Sequence, residues 1–354
     1  MNDRSTAKLG YDFLSDNTGA ASPEIIAGLI ASNKGTAVGY GKDPYTDELQ
    51  RRFGELFETA VRVFPVPTGT AANALSLAAI SPPWGAVYCS KDAHIETSEA
   101  NATAFLGGGV KVAVLEGEHG KIAPGILVDA LSTAGLGQTY RSQPAAVSLT
   151  QATDLGAVYS VDQIRAIGEV ARQNKLAIHM DGARLANALA TLGCSPAAMT
   201  WQAGVDILSF GMTKNGGLLC DAIVVFRADL AERLSFLLRR SGQTWSKMRY
   251  AAAQLLAYVE DDLWLRNARQ ANATAAQIAD ALKQIPGARL LAPVEANEVF
   301  LELDQPTMDR LAADGILFFR RSPKIARFVC RWDTSNTEAI ALIESLRRQF
   351  RSRE

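Results

Sequence analysis

Through the first 245 residues, short apolar runs alternate with segments in which apolar positions recur every three to four residues. Strand-length runs separated by helical segments predict strands that cross over through helices within a mostly parallel sheet. The strand candidates fall at 61–66, 86–89, 110–115, 145–149, 176–180, 206–210 and 222–226. Between two of them, 161–174 carries Val161, Ile164, Ile167 and Val170, with Asp162 near its start, the spacing of a helix that covers a sheet. From Ser246 an alanine-rich stretch reads as one long helix to about Gln284, ended by Pro286 and Gly287. Beyond it, a strand at 299–303, a helix at 307–314, a strand at 327–331 and a helix at 337–350 make a small unit. The fold class expected is α/β, with a large domain over 16–245 and a small C-terminal α+β domain over 246–354, which the segment 1–15 joins and the long helix links to the large one.

At 354 residues the chain is long enough for a large core and a smaller second one. A formal charge of -1 leaves no basic excess to neutralise a phosphate backbone, which argues against a nucleic-acid partner. Cys89, Cys194, Cys220 and Cys330 are far apart with no CxxC, so they read as free thiols in a reducing cytoplasm rather than a metal site or disulfide frame. Residues 1–11 build no apolar signal-peptide core, and no apolar run approaches the roughly 20 residues that cross a bilayer. The sequence shows no repeats and no low-complexity tract; Gly107, Gly108 and Gly109 form a lone glycine turn.

Four signals of chemistry sit at ends of the expected strands. Pro67-Thr68-Gly69-Thr70 joins a strand to a helix, where backbone N–H groups and small residues suit a phosphate; the plainer alternative is a threonine N-cap. Asp181 ends the strand at 176–180 and could hold the protonated ring nitrogen of a cofactor, or simply cap the following helix. Lys214, in Phe210-Gly211-Met212-Thr213-Lys214-Asn215-Gly216-Gly217, is either a Schiff-base lysine or a solvated surface residue. His94 could stack on a flat ring and exchange protons, or be a hydrogen-bonded loop histidine, while His119 and His179 read as structural. Phosphate turn, histidine, strand-end aspartate and then a lysine 33 residues later form an order that resembles the fold type I enzymes dependent on pyridoxal 5'-phosphate (PLP).

The wording around these residues is similar to that of the L-threonine aldolases along nearly the whole chain. It includes Ser15-Asp16-Asn17, Gly39-Tyr40-Gly41-Lys42-Asp43-Pro44, Thr68-Gly69-Thr70-Ala71-Ala72-Asn73, Ala93-His94-Ile95 and Arg327-Phe328-Val329. The most specific run is Asp181-Gly182-Ala183-Arg184-Leu185-Ala186-Asn187-Ala188. Pro82-Pro83-Trp84-Gly85 and the lysine segment resemble a bacterial branch with low-specificity threonine aldolases and phenylserine aldolases. The resemblance implies that Lys214 carries PLP, Asp181 binds its ring nitrogen and His94 stacks on it, with Thr68, Gly69 and Thr70 around the phosphate. It further implies that Arg184 lies near the ring oxygen and the substrate carboxylate, that Arg327 and Ser15 complete the carboxylate site, and that Tyr40 lines the cleft. Arg249 would reach the phosphate of a neighbouring subunit, making a homodimer or homotetramer the working enzyme. The implied reaction is retro-aldol cleavage of L-threonine, L-allo-threonine or phenylserine to glycine and an aldehyde, with no metal.

Two segments depart from the family pattern. Thr150-Gln151-Ala152-Thr153 stands where Glu-Asn-Thr-His is usual, so a second active-site histidine is absent, and Gln243-Thr244-Trp245-Ser246-Lys247 replaces a glycine-rich run. A hydroxyl is too weak an acceptor to replace an imidazole near neutral pH. The β-hydroxyl proton is therefore expected to pass to a water ordered by Thr153, Asp154 and the cofactor phosphate, with His94 as the rival base. The alternatives in function are another PLP reaction on the same scaffold, such as β-elimination or transamination, and a non-catalytic PLP- or nucleotide-binding protein.

Overall fold

The computed structural model describes residues 10–351; the part of the expected N-terminal segment at 1–9 lies outside the described residues. Eleven strands form among them: β1 Tyr11–Phe13, β2 Arg62–Val66, β3 Gly85–Ser90, β4 Lys111–Leu115, β5 Gln143–Thr150, β6 Ala177–Gly182, β7 Ile207–Phe210, β8 Asp221–Val225, β9 Glu298–Glu302, β10 Ile316–Ser322 and β11 Ile325–Val329. β2 to β8 build a seven-stranded sheet in the order β2-β8-β7-β6-β5-β3-β4. Its central pairs are parallel, and β8 alone runs against the rest, antiparallel to both β7 and β2. β3, β6, β7 and β8 are buried at every position, as strands covered by helices on both faces must be, which is why they read as mostly apolar runs without polar alternation.

The covering helices follow their local signals. Val161–Gln173 starts at a reciprocal capping box of Ser160 and Gln163 and buries Ile164, Ile167 and Ala171 against the sheet. Gly69–Ile80 is buried at every position from Ala71 to Ala79, so its sequence is apolar all round apart from Asn73 and Ser76.

The alanine-rich stretch after Ser246 is two helices, Arg249–Val259 and Leu263–Lys283, rather than one. Asp261 and Asp262 take left-handed backbone angles (φ 48° and 55°) between them, a conformation that aspartate tolerates better than most residues. The first helix buries Ala251, Ala252, Leu255 and Tyr258 in the large core; the second carries Trp264 and Ala268 into that core, then Ala275, Ile278 and Leu282 into a second one. That second core lies under a four-stranded sheet in the order β1-β10-β11-β9. Its strand β10 is absent from the sequence-based expectation, and β1 pairs parallel with it from the other end of the chain.

Candidate active site

The strand directions decide which loops meet. β5, β6 and β7 end at one edge of the large sheet, where open α/β sheets gather ligands. Because β8 is reversed, its first residue, Asp221, comes to the same edge. A cavity of about 270 Å³ opens there. A larger depression of about 550 Å³ lies at the opposite edge, beside Leu176, Asp206 and Arg227, and gathers none of the expected site residues.

Seven of the residues singled out from sequence line the cavity: Thr68, Gly69 and Thr70 on one side, His94 on another, and Asp181, Arg184 and Lys214 across from them. Thr68 is an N-cap, its hydroxyl accepting from Ala71 N at 3.1 Å, and the helix it caps turns first-turn N–H groups toward the cavity. Asp181 lies inside β6 rather than beyond its end, paired with Thr150 and Ser209, because the strand runs on to Gly182. Its Oδ1 accepts from Ala183 N at 3.0 Å and its Oδ2 from Asn73 Nδ2 at 2.8 Å.

Lys214 sits in the short turn Thr213–Asn215. Asp221 fastens that turn by accepting from Met212 N at 2.8 Å and from Thr213 N and Oγ1 at 3.1 Å each; Asn215 donates to Tyr258 Oη at 2.8 Å. Gly216 leaves the turn at φ 94°, and Gly211 enters it so close to Ala183 that a Cβ would lie 2.5 Å from the Ala183 carbonyl oxygen. Glycine at both ends is thus a requirement of the lysine's placement.

Other expected residues lie elsewhere. Ser15 caps the turn Asp16–Thr18 and does not line the cavity; Asn17, whose backbone N–H it accepts from, does. Arg327 is not among the cavity's lining residues; its guanidinium lies 4.8 Å from the Phe319 ring and 3.6 Å from Glu298 Oε1, with Nε buried and unpartnered among the described residues. Tyr40 does not line the cavity of its own chain. Its loop is held to Ser246 O through Tyr40 N at 2.8 Å, and its half-exposed ring lies under the Arg239 guanidinium at 4.7 Å. Arg249 donates to the carbonyls of Lys34 and Gly35 at 3.2 Å, also away from the cavity.

Thr153 corrects the expectation built on it: it is fully buried and turned out of the cavity, donating to His119 O at 2.8 Å and accepting from Ala157 N at 3.1 Å. Its hydroxyl serves the loop and is not placed to order a water in the cleft. Ala152 and Asp154, on either side of it, line the wall instead.

Several groups that sequence reasoning passed over organise the site. Glu99 Oε1 lies 2.8 Å from His94 Nδ1 and accepts from Asn73 Nδ2 at 2.8 Å, so a buried relay runs from His94 through Glu99 and Asn73 to Asp181. Asn73, a polar residue inside an otherwise apolar helix, was a visible signal; Glu99 carried none. The Glu99 hydrogen bond raises the pKa of His94 against the opposing effect of burial. Arg184 donates through Nε to Asp16 Oδ2 at 2.8 Å and lies 3.2 Å from Glu298 Oε1, so Glu298 stands between Arg184 and Arg327. Burial works to raise the carboxyl of Asp16, but Arg184 and Lys214 outweigh it and hold it below the ordinary range. Burial, then the charge of Asp181, pushes the Asp154 carboxyl up to about 6 although His94 and Lys214 pull it back. His179 is structural: it is held by Ser148 Oγ and Ser209 Oγ at 2.9 Å each, and burial depresses its pKa to about 4.

This donor set fits PLP. A helix start suits its phosphate, a buried carboxylate its ring nitrogen, and a lysine its aldehyde carbon. Asn73 Oδ1 and Asp154 Oδ2 are buried in the lining residues without hydrogen-bond partners among the described residues, polar capacity that a bound polar molecule would use.

Comparison with known proteins agrees with this geometry. Residues 12–306 match the family model described as beta-eliminating lyase. The low specificity L-threonine aldolase of Pseudomonas aeruginosa is 42% identical over 337 residues, covering 95% of this chain and 96% of that one. The enzyme of that name from Pseudomonas sp. is 39% identical over the same shares. Among solved structures, Leishmania major threonine aldolase superposes with a TM-score of 0.90 at 25% identity, covering 96% of this chain and 99% of that one.

Proposed function

The chain belongs to the beta-eliminating lyase family, and we propose that within it this protein is a PLP-dependent carbon–carbon lyase that splits L-β-hydroxy-α-amino acids into glycine and an aldehyde. The observation that carries this reading is the convergence of Asp181, Lys214 and the helix start at Gly69 on one cavity, in a chain similar over its length to threonine aldolases. L-Threonine and L-allo-threonine would yield acetaldehyde, and phenylserine would yield benzaldehyde.

Lys214 would hold the cofactor covalently, Asp181 would keep its ring nitrogen protonated, and Gly69 and Thr70, with Thr68 capping their helix, would take its phosphate. When bound, the cofactor supplies the electron sink for the pair released from the Cα–Cβ bond. His94 would lie against the ring, its orientation set by Glu99. Arg327 offers the substrate carboxylate a guanidinium with an unused donor, and the buried Arg184 adds positive charge beside it, steadied by Asp16 and Glu298. Ser15 would act through the turn that positions Asn17. Tyr40 and Arg249, away from their own chain's cavity, fit a homodimer or homotetramer in which Arg249 reaches the phosphate held by a neighbouring copy. Among the described residues no helix is long and apolar enough to cross a membrane.

The test is product analysis of the holoenzyme with L-threonine. Equal amounts of glycine and acetaldehyde are expected, and phenylserine should give benzaldehyde. Formation of 2-oxobutyrate or of a β-hydroxy keto acid in their place would mean elimination or transamination and would overturn the reading.

A further inference from the structure

In this chain the position of the usual second histidine is filled by a threonine whose hydroxyl points out of the cavity, so the proton of the substrate's β-hydroxyl needs another acceptor. The residue after it, Asp154, lines the cavity, and its Oδ2 is buried with no hydrogen-bond partner among the described residues. Among the described residues no cation forms an ion pair with it. Arg321 donates only to its main-chain carbonyl, at 3.3 Å, and spends its other arm on Asp92 at 3.0 Å. Buried carboxylates without partners are rare because desolvation is costly, and where they face a cavity they are candidates for proton transfer.

The charged groups that act on Asp154 come from several elements: Asp181 of β6, Glu298 of β9, His94, Lys214 and Arg184. The two acids and burial disfavour its ionised form, and the three cations keep that form accessible. A carboxyl poised near 6 is largely ionised at neutral pH yet basic enough to accept a proton as the alkoxide develops. His94 is placed the other way: Nδ1 is engaged by Glu99, and the resulting rise in pKa favours the protonated ring, an acid rather than a base.

We infer that Asp154 is the catalytic base of this enzyme, its carboxylate taking the β-hydroxyl proton as the Cα–Cβ bond breaks; the inference rests on the lyase reading above. The O–H pair becomes the second bond of the aldehyde carbonyl. The Cα–Cβ pair stays with the glycine fragment, which takes one proton at Cα from solvent, and Asp154 returns its proton to solvent as the aldehyde leaves. Amino acid is thus converted to glycine and aldehyde with no oxidant or reductant.

The experiment compares wild type with Asp154→Asn and Asp154→Ala. In wild type kcat/KM for L-threonine should fall on the acidic side; in Asp154→Asn it should drop roughly 100- to 10,000-fold and lose that limb. Exchange of the glycine α-hydrogens with deuterated water needs the same cofactor and lysine but no β-hydroxyl, so it should survive in Asp154→Asn. Formate should restore part of the cleavage rate in Asp154→Ala. The cofactor-free protein gives an independent readout. A carboxyl whose pKa is raised by folding costs stability as pH climbs from its unfolded value of 3.8 to its folded one, so Asp154→Asn should melt higher than wild type at pH 8, show a much smaller gain at pH 4.5, and none below about pH 3. Near-normal cleavage with an unchanged acidic limb, glycine exchange lost together with cleavage, or a melting difference that ignores pH would each overturn the assignment. A wild type that exchanges glycine but does not cleave L-threonine would instead overturn the lyase reading itself.

Discussion

Replacing Asp16 with asparagine should make the protein less stable and yet bind glycine more tightly. Asp16 and Arg184 are both buried, joined at 2.8 Å, and they come from segments 168 residues apart. With Arg327 and Glu298 they form a cluster of two cations and two anions, close to neutral before any ligand enters. An amide keeps the shape but has one acceptor: with its oxygen at the Oδ2 place, which serves Arg184 Nε and Asn297 Nδ2, its NH₂ meets another donor, Arg184 Nη2, which lies 3.3 Å from Asp16 Oδ1. Breaking a buried pair by removing one partner costs about 3 to 5 kcal/mol, and Glu298 at 3.2 Å keeps the loss near the lower end. With an entropy of unfolding of roughly 2.1 cal/mol/K per residue, about 3 kcal/mol lowers Tm by about 4 °C in a chain of 354 residues. The cluster meanwhile gains one net positive charge, worth on the order of 1 kcal/mol, or roughly fivefold in Kd, to a carboxylate several ångströms away in a partly wet cleft. The assays are urea unfolding across pH and spectral titration of the holoenzyme with glycine. Because folding lowers the Asp16 pKa, its stabilisation is present above the unfolded value of 3.8 and fades as pH falls through the folded one, so the gap between variant and wild type should close in acid. Unchanged stability at neutral pH, a pH-independent loss, or weaker glycine binding would refute the charge bookkeeping.

Three further variants test the cofactor site. Lys214→Ala should abolish turnover and the borohydride-reducible cofactor bond without unfolding the protein, since the turn is held by Asp221 and Asn215; a surviving reducible adduct would move the anchor elsewhere. Asp181→Asn should retain cofactor but lose most of the rate, because an amide cannot hold the ring nitrogen protonated; near-normal kcat would assign that task to another acid. Glu99→Gln should shift the NMR titration of His94 to lower pH, a signal resolvable in a chain with three histidines, and an unmoved titration would mean that Glu99 does not set the ring's charge.

Much of this protein was legible in the chain because the signals are local. Mostly apolar runs marked strands buried on both faces, and a three-to-four spacing marked the helix at 161–173, whose cap is also read from neighbours. Thr68, Gly69 and Thr70, His94, Asp181 and Lys214 could be singled out because strand ends are where an α/β sheet exposes chemistry, and the structure brings all of them to one cavity.

What only the tertiary structure decided is how distant segments meet and which way single side chains turn. The reversal of β8 brings Asp221 to the lysine's turn, yet strand direction leaves no mark on an apolar run. Asp16, Arg184, Glu298 and Arg327 become a charge cluster only when three distant parts of the chain fold together, and Glu99 meets His94 and Asn73 in the same way. Thr153 and Asp154 are adjacent in sequence, and residue type alone cannot tell which faces the cleft. That choice follows from the loop's own hydrogen bonds, which engage the threonine hydroxyl with the backbone around it and leave the neighbouring carboxylate in the cavity wall.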